Sequence, residues 1–526
     1  MLAPMKSVFK NSRLSRDENG SILIFVMVVF SIMMLVGGAA VDLARYENSR
    51  ATLQYNLDRA VLAAASLKQE REPSVVVQDY MSRITTTEDF DLHVSSSVAE
   101  YSRSVTASAT ADVDMWFLSM AGINKMPAKV VSSAQEKKSN LEISLVLDVS
   151  GSMASNQRLV NLKVAAKEFI DTMLADVEPN SVSISIIPFN SNTAPSQGLF
   201  DAINVAQTHA YTTCLDFTDG AFSTAAIDPA QSVSQAVFTS YYGGYQSAHL
   251  PSSTCNNEEY FEIMPYVSDA ATLHAKIDSL QAAGNTAGHV GIKWGLALLD
   301  PKFQPVVDSL IADGDVVNGL TALPRSYQDE DTNKIIVMMS DGANTTEFRL
   351  GSAYNTGQSD LMEVTSSVLG PDGLPTKTHF LRDSGGFWYF DMQNNSWITQ
   401  TVFDALPVTL PGFQSSERLD WADAWGHMST QYYKQVTGNG GPSYDFWYGA
   451  GRNGAEADPL MLNTCEAAAT EGVTVYTIGF EMNESSVDTL RDCASTPSHF
   501  YDANGTQISE VFAAIATSIL KLKLTQ

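Results

Sequence analysis

The first feature of the hydrophobic pattern is a long uncharged run near the N-terminus. Residues 21–41 carry no charged side chain, and a helix of this length can span a bilayer. Apolar residues spaced in threes and fours continue the helix to Leu67. Four basic residues precede the run: Lys6, Lys10, Arg13 and Arg16. By the positive-inside rule, residues 1–20 are predicted to be cytoplasmic, with the rest of the chain across the membrane.

A cleaved secretory signal is the competing interpretation of this run. Its apolar region would be about 7–15 residues long and would end in small residues at a cleavage site. The run here is longer, although residues 37–40 do offer small side chains. We therefore expect an uncleaved, single-pass anchor.

Residues 42–137 change from a helical pattern to period-two alternation. Strands are predicted where Ser, Thr and Val alternate, at 92–97, 104–113 and 129–134. We predict that a helical stalk leads into a small α+β module here. The alternative is an extended linker, which would seldom carry Trp116, Phe117 and Leu118 together.

Residues 138–526 alternate buried-strand runs with helical patterns. Strands are predicted at 141–147, 181–188, 334–340 and 473–480. Helices are predicted at 158–177, 270–283, 288–299, 459–470 and 508–522. This alternation predicts an α/β fold with a mostly parallel, doubly wound sheet. Two stretches, at about 190–266 and 345–458, interrupt it and are predicted to be large insertions.

Oxygen-bearing side chains follow these predicted strands. Asp148, Ser150 and Ser152 stand at alternate positions after one strand, and Asp341 directly follows another. Thr286 lies in a Gly-flanked loop ahead of a predicted helix. In open α/β sheets, ligands bind at the carboxyl ends of the strands, and oxygen donors suit a hard divalent cation. The plainer interpretation is a Ser/Gly turn at a helix N-cap.

Together, the three loops resemble the metal-ion-dependent adhesion site of von Willebrand factor A domains. The resemblance implies that Asp148, Ser150 and Ser152 bind a divalent cation, Mg²⁺ first, with Mn²⁺ or Ca²⁺ as alternatives. It adds Thr286 as a ligand and Asp341 as a carboxylate that often acts through water. Because these side chains supply fewer than the roughly six oxygens that such an ion takes, an acidic side chain from a protein partner is expected to complete the site.

A second resemblance lies in the N-terminal region. Its matching features are, in chain order, Gly20, Asp42, Arg45, Tyr46, Leu53 and Gln54. They are similar to the start of TadE/TadG-like proteins of the Tad (Flp) pilus-assembly system. An anchor of this type before an adhesion-site domain is typical of TadG-like members, which implies a pilin-like module after the anchor and other Tad pilus components as partners.

One position departs from the pilin pattern. Pilin-like relatives carry a Glu where this chain has Phe25. We therefore expect the anchor to be retained rather than processed by a prepilin peptidase.

Charge and cysteine usage narrow the function classes. The net charge of −27 argues against nucleic-acid binding, which needs a basic surface. The four cysteines lack C-x-x-C spacing, and their order along the chain suggests Cys214–Cys255 and Cys465–Cys493. Disulfides would indicate an oxidising compartment, such as the periplasm or the cell surface. Four buried free thiols are the alternative.

Two further features allow more than one interpretation. Aromatic residues concentrate at 383–397 and 444–449 and include Trp421 and Trp425. They predict either a recognition surface or a subdomain with its own small core.

His289 follows the Gly-flanked loop and is either a helix-start residue or a neighbour of the cation.

We predict a non-enzymatic protein of the inner membrane that binds a protein partner through its cation, in pilus assembly or adhesion. The sequence contains no nucleophile elbow, phosphate-binding loop or dinucleotide fingerprint. Two alternatives stay open. One is an architectural pilus subunit with a vestigial metal site. The other is a hydrolase that uses the cation as a Lewis acid, for which the sequence offers no convincing base or nucleophile.

Overall fold

The computed structural model describes most of the chain. The described ranges are 21–83, 90–99, 102–137, 140–175, 177–240, 254–256, 258–317, 319–320, 322–438, 451–482 and 487–524. The chain divides into two compact units, residues 1–138 and 139–526, which are described separately. The predicted basic segment 1–20 and the aromatic segment 444–449 lie outside the described ranges.

The first unit combines a long helix with a small sheet. Helix α1 (Ser21–Ala65) has an exposed apolar first half that is long enough to cross a membrane, so it fits a single-pass anchor. Its second half buries Leu53, Leu57 and Val61 in a core shared with Val105. The remaining elements are α2 (Pro73–Ser82) and the antiparallel strands β1 (Phe90–Ala99), β2 (Ser102–Asp114) and β3 (Lys125–Lys137).

Asp42 marks the point on α1 where the apolar half ends. Its buried carboxylate accepts hydrogen bonds from the backbone N–H groups of Trp116, Phe117 and Leu118, at 3.0, 2.8 and 2.8 Å. The guanidinium of Arg45 lies 3.6 Å from the centre of the Trp116 ring. These contacts fasten α1 to the loop between β2 and β3, which gives Asp42 and Arg45 a structural role.

The second unit is an α/β structure. Its described strands are β4 (Asn140–Asp148), β5 (Val182–Phe189), β6 (Val205–Ala206), β7 (Leu215–Asp216), β8 (Val233–Gln235), β9 (Met264–Val267), β10 (Thr332–Ser340), β11 (Gln358–Leu369), β12 (Pro375–Arg382), β13 (Trp388–Asp391), β14 (Ser396–Thr399), β15 (Phe413–Asp420), β16 (Thr474–Phe480) and β17 (Phe500–Ala503). Its described helices are α3 (Arg158–Leu174), α4 (Gln197–Asp201), α5 (Ala270–Ser279), α6 (Gly288–Ala297), α7 (Gln304–Asp313), α8 (Gln400–Asp404), α9 (Leu406–Thr409), α10 (Trp421–Ala424), α11 (Thr430–Thr437), α12 (Gly454–Thr470), α13 (Asp488–Cys493) and α14 (Gln507–Leu524).

A central sheet organises this unit. Its strand order is β17-β16-β10-β4-β5-β9. All neighbouring strands pair in parallel except β9, which runs antiparallel to β5 at the edge. Since β4 and β10 are adjacent and parallel, their carboxyl ends lie next to each other at the same end of the sheet.

Successive residues of the central strands fill two separate cores, one on each face of the sheet. Along β10, Ile336 and Met338 belong to one core, and Val337 and Met339 to the other. Helices α6 and α12 contribute to the first core, and α3 and α14 to the second. Burial on both faces explains why these strands are nearly continuous apolar runs.

Both predicted disulfides are confirmed. Cys214 pairs with Cys255 at a Cα–Cα distance of 6.0 Å, and Cys465 pairs with Cys493 at 5.2 Å. The second bond ties the end of α13 to α12.

A second, antiparallel sheet forms between β10 and α12, in the order β14-β13-β12-β11-β15. Trp421 and Trp425 are buried beside it in a small core that also contains Tyr433. In contrast, Phe387 is 68% exposed and Trp397 is 42% exposed. The aromatic residues of this segment therefore divide between a local core and an exposed surface.

Helix α12 begins earlier than the sequence predicts. It starts at Gly454 rather than at residue 459, because Asn453 and Glu456 form a reciprocal capping box. Pro459 lies inside the helix and does not begin it.

Candidate metal centre

The loop after β4 holds the carboxylate of Asp148 from two sides. The side chain is buried at the end of the strand. The backbone N–H of Ser150 donates to its Oδ1 at 2.8 Å, and the hydroxyl of Ser340 donates to its Oδ2 at 2.6 Å. Since Ser340 ends β10, the two neighbouring parallel strands together orient this carboxylate.

Ser150, Ser152 and Asp341 form a row of oxygens beside it. The two serine Oγ atoms are 3.0 Å apart, and Ser152 Oγ donates to Asp341 Oδ1 at 2.7 Å. In an octahedral Mg²⁺ site with bonds of about 2.1 Å, adjacent ligand oxygens lie about 3 Å apart. The donor types and their spacing therefore fit a hard divalent cation.

Thr286 lies on a loop next to this row. The N–H of Gly151 donates to the carbonyl of Gly284 at 3.0 Å, which brings the two loops together. The backbone of Thr286 makes two hydrogen bonds with Thr345: its N–H donates to the hydroxyl, and its carbonyl accepts from the N–H, both at 2.8 Å. Direct hydrogen bonds thus link the other four predicted ligands to one another, whereas Thr286 joins them through its backbone neighbours.

The two carboxylates of the site interact unfavourably. Burial and the nearby charge of Asp341 raise the pKa of Asp148 to about 6. A positively charged side chain already lies at the site, because Arg158 Nη1 is 2.8 Å from Asp341 Oδ2. The same guanidinium places Nε 2.8 Å from Glu481 Oε2. Arg158 thus pairs with two carboxylates, Asp341 and Glu481, and Asp148 adds a further negative charge beside Asp341 that a bound ion would neutralise.

Arg158 is absent from the site residues that the sequence predicts, as are Ser340 and Glu481. It is the first residue of α3, where the helix dipole disfavours a cation. Its partners Asp341 and Glu481 lie 183 and 323 positions away, so no local pattern joins them. The available signal is a basic residue at the start of the helix that follows the acidic loop.

A buried ionic network lies just beyond Thr345. Glu347 Oε2 is 2.9 Å from His289 Nε2 and 2.8 Å from Arg452 Nη1, and all three side chains are buried. Arg452 also donates to the carbonyl of Phe217 at 2.6 Å and to Asp219 at 2.7 Å. His289 therefore belongs to this network. Its contacts join α6 to the segments that enter and leave the second sheet.

Comparison with known proteins gives one family match. Residues 20–67 match the Tad family, described as "Putative Flp pilus-assembly TadE/G-like". The matched segment covers α1 and includes Asp42 and Arg45, whose contacts are described above. No curated protein matches the chain at a significant level.

Several solved structures resemble the chain at low identity. The vWF domain of the type V pili tip protein Mfa5 from Porphyromonas gingivalis is 13% identical, with a TM-score of 0.33 over 74% of this chain and 97% of that one. The tip pilin GBS104 from Group B Streptococcus agalactiae is 11% identical, with a TM-score of 0.31 over 72% and 100%. The pilus adhesin RrgA from Streptococcus pneumoniae is also 11% identical, with a TM-score of 0.31 over 82% of this chain and 49% of that one. Likenesses at this level assign no property to this chain.

Proposed function

We propose that this protein is a membrane-anchored component of a Tad (Flp) pilus system that binds a protein partner through a divalent cation. Five oxygen-bearing side chains would hold the cation: Asp148, Ser150, Ser152, Thr286 and Asp341. Mg²⁺ is the expected ion, with Mn²⁺ or Ca²⁺ as alternatives. The anchor is α1, with the N-terminus in the cytoplasm and the second unit in the periplasm or at the surface.

The row of oxygens at the edge of the central sheet carries this proposal. Ser150, Ser152 and Asp341 present oxygens at 3.0 and 2.7 Å spacing, which suits the ligand shell of a small hard cation. Asp148 is held beside them by Ser340, with a carboxylate whose charge is disfavoured until a cation neutralises it. The family match of residues 20–67 supports the link to Tad pili.

The chemistry is that of binding. A cation in this position would supply a charge that an external carboxylate can approach. The hydroxyls of Ser150 and Ser152 are neutral, so among the five proposed ligands only Asp148 and Asp341 would offset the ion's charge. Because the five supply fewer than the roughly six oxygens that such an ion takes, a coordination position would remain for that carboxylate. Ser340 and the N–H of Ser150 keep Asp148 oriented, so the ligand set needs little rearrangement.

An architectural role without a metal is the second candidate, and one observation favours it. Arg158 already makes a 2.8 Å ion pair with Asp341 and another with Glu481. A guanidinium in that position could replace an ion as the positive centre of the site. On this hypothesis, the loops are held together by Arg158, and the protein contributes to the pilus by packing alone.

The deciding experiment measures cation binding and pilus association together. The full chain, purified in detergent, is titrated with Mg²⁺ and Mn²⁺ by calorimetry as wild type, Asp148→Asn and Asp308→Asn. Asp308 is an exposed aspartate on α7 and serves as the matched control. The same three proteins are tested for binding to sheared pili, with Mg²⁺ and with a chelator.

Three outcomes are distinguishable. Saturable ion binding and Mg²⁺-dependent pilus association, both lost only in Asp148→Asn, support the proposal. Pilus association that is the same with Mg²⁺ and with the chelator, in a wild type that binds no ion, supports the architectural role. Cation binding that is absent in the wild type, or equal in all three proteins, shows that these residues are not a metal centre.

A further inference from the structure

A second cluster of metal-binding side chains lies in the antiparallel sheet, apart from the oxygen-rich loops. Glu363 on β11 stands directly opposite His379 on β12 in the strand register. His427 lies in the turn between α10 and α11. Glu363 and His379 are buried, and His427 is half-buried.

The geometry brings one ligand atom from each residue close to the others. These three atoms all lie within 4.8 Å of one another. His379 Nε2 is 3.1 Å from Glu363 Oε2, and the rings of His379 and His427 have centroids 4.1 Å apart. Lys377 Nζ holds the other carboxylate oxygen, Glu363 Oε1, at 2.6 Å. One carboxylate oxygen thus faces the two imidazoles.

We propose that Glu363, His379 and His427 bind a borderline transition ion, with Zn²⁺ as its representative. Two imidazole nitrogens and one carboxylate oxygen are ligands that suit Zn²⁺, whereas the all-oxygen loops after β4 and β10 suit Mg²⁺. The two sites would therefore differ in both place and ion class. This inference does not depend on the proposed pilus function.

The distances are close to those of a tetrahedral centre. With metal–ligand bonds of about 2.0–2.1 Å, adjacent ligand atoms in a tetrahedron lie about 3.3 Å apart. The pair formed by Glu363 and His379 already has a spacing of 3.1 Å. Bringing the third ligand from within 4.8 Å to that spacing takes a shift of about 1.5 Å at most. His427, the half-buried member of the cluster, would have to supply this shift on binding.

The cluster also joins separate parts of the second unit. The Tyr211 hydroxyl lies 3.4 Å from His427 Nε2 and 3.2 Å from the carbonyl of Asp423. At Gly426, a Cβ atom would lie 2.1 Å from the Tyr211 ring, so only glycine allows this approach. An ion at the cluster would therefore fix β11, β12 and the turn before α11 next to the segment that carries Tyr211. Three protein ligands leave a fourth position for water or another donor.

Zinc competition against a chromogenic chelator tests the proposal on the full chain in detergent. The wild type should bind one Zn²⁺, and His379→Gln, His427→Gln and Glu363→Gln should each weaken binding. Loss of a direct ligand should cost at least about 100-fold, above the effect expected for outer partners. His274→Gln is the matched control, since His274 lies on α5 and pairs with Asp171. Asp148→Asn should leave zinc binding unchanged.

A second measurement counts the imidazole ligands directly. The wild type is loaded with one equivalent of Cu²⁺ and studied by pulsed electron paramagnetic resonance, which counts coordinated imidazole nitrogens. Two imidazoles are expected, and His427→Gln should show one. The proposal is overturned if the wild type shows no Zn²⁺ binding, if the ligand variants bind as His274→Gln does, or if no imidazole couples to the copper.

Discussion

Substituting Glu347 tests how the second unit holds its segments next to the candidate metal centre. The carboxylate is 2% exposed and lies within 2.9 Å of both His289 and Arg452. Glu347→Gln keeps the shape of the side chain but removes its charge. Arg452 then keeps its hydrogen bonds to Phe217 and Asp219 but loses the buried charge of Glu347 as its partner.

Two independent arguments give the size of the expected loss in the free energy of unfolding. Burial alone would raise the pKa of Glu347, but His289 and Arg452 outweigh it and lower the pKa from 4.5 to about 2. Since one pKa unit corresponds to 1.36 kcal/mol, the charged form contributes about 3 kcal/mol to the free energy of unfolding. Removing one partner of a buried ion pair costs about 3–5 kcal/mol in other proteins. We therefore expect Glu347→Gln to lower the free energy of unfolding by about 3 kcal/mol at pH 7.

The pH dependence of this difference has a definite sign. The folded protein holds Glu347 ionised below its ordinary pKa of 4.5, so it binds fewer protons than the unfolded chain between pH 4.5 and about 2. The stabilisation is complete above pH 4.5 and is lost as the pH falls toward about 2. The gap between wild type and variant should therefore shrink as the pH falls below 4.5.

Urea unfolding of the full chain in detergent measures this gap. Both proteins are unfolded in metal-free buffer at several pH values between 7 and 3, with tryptophan fluorescence as the signal. Glu417→Gln serves as the control, because Glu417 is an exposed glutamate on β15. A difference below about 1 kcal/mol at pH 7, or an equal difference at pH 3, would refute the reasoning.

Three other substitutions test the contacts of single charged side chains. Asp42→Ala leaves three partly buried N–H groups without their acceptor and should lower the stability of the first unit by about 1–3 kcal/mol, measured by resistance to proteolysis in detergent. Lys293→Met should cost about 1–3 kcal/mol in urea unfolding, because Nζ of the buried lysine donates to three backbone carbonyls between residues 224 and 226. Arg158→Gln should tighten Mg²⁺ binding by about tenfold or more in calorimetry, because it removes a positive charge next to Asp341.

For each of these three predictions, one result would contradict the stated reason. Unchanged proteolysis of Asp42→Ala would show that the loop between β2 and β3 does not depend on that carboxylate. Unfolding of Lys293→Met at the wild-type urea concentration would show that water satisfies the three carbonyls. Weaker Mg²⁺ binding in Arg158→Gln would show that the guanidinium organises the site rather than competing with the ion.

The central sheet could be predicted because its signals are local. Buried runs such as 334–340 are apolar at successive positions, which a strand shows only when both of its faces are covered. The loops that follow these strands carry their oxygen donors at fixed positions in the sequence. The predicted start of α12 is wrong although Asn453 and Glu456 give the capping signal, because a proline is common at the first helical position and the prediction places Pro459 there.

The second sheet and the two side-chain clusters depend on contacts between residues that are far apart in the sequence. The strands of the second sheet are short or polar, and β15 is largely exposed, so their sequences give little hydrophobic period. Glu363 and His379 become neighbours only through the register of β11 and β12. Arg158 likewise meets its partners only when the sheet has formed. No motif of fixed spacing could have signalled either cluster.

The buried network makes the candidate metal centre and the second sheet interdependent. Thr345 bonds to the backbone of Thr286, and Glu347, two residues later, pairs through its backbone with Arg452, the residue just before the cap of α12. The entrance and exit of the second sheet are thus joined to each other and to the Thr286 loop. Any force or ligand that separates the two ends must first break the pair formed by Glu347 and Arg452.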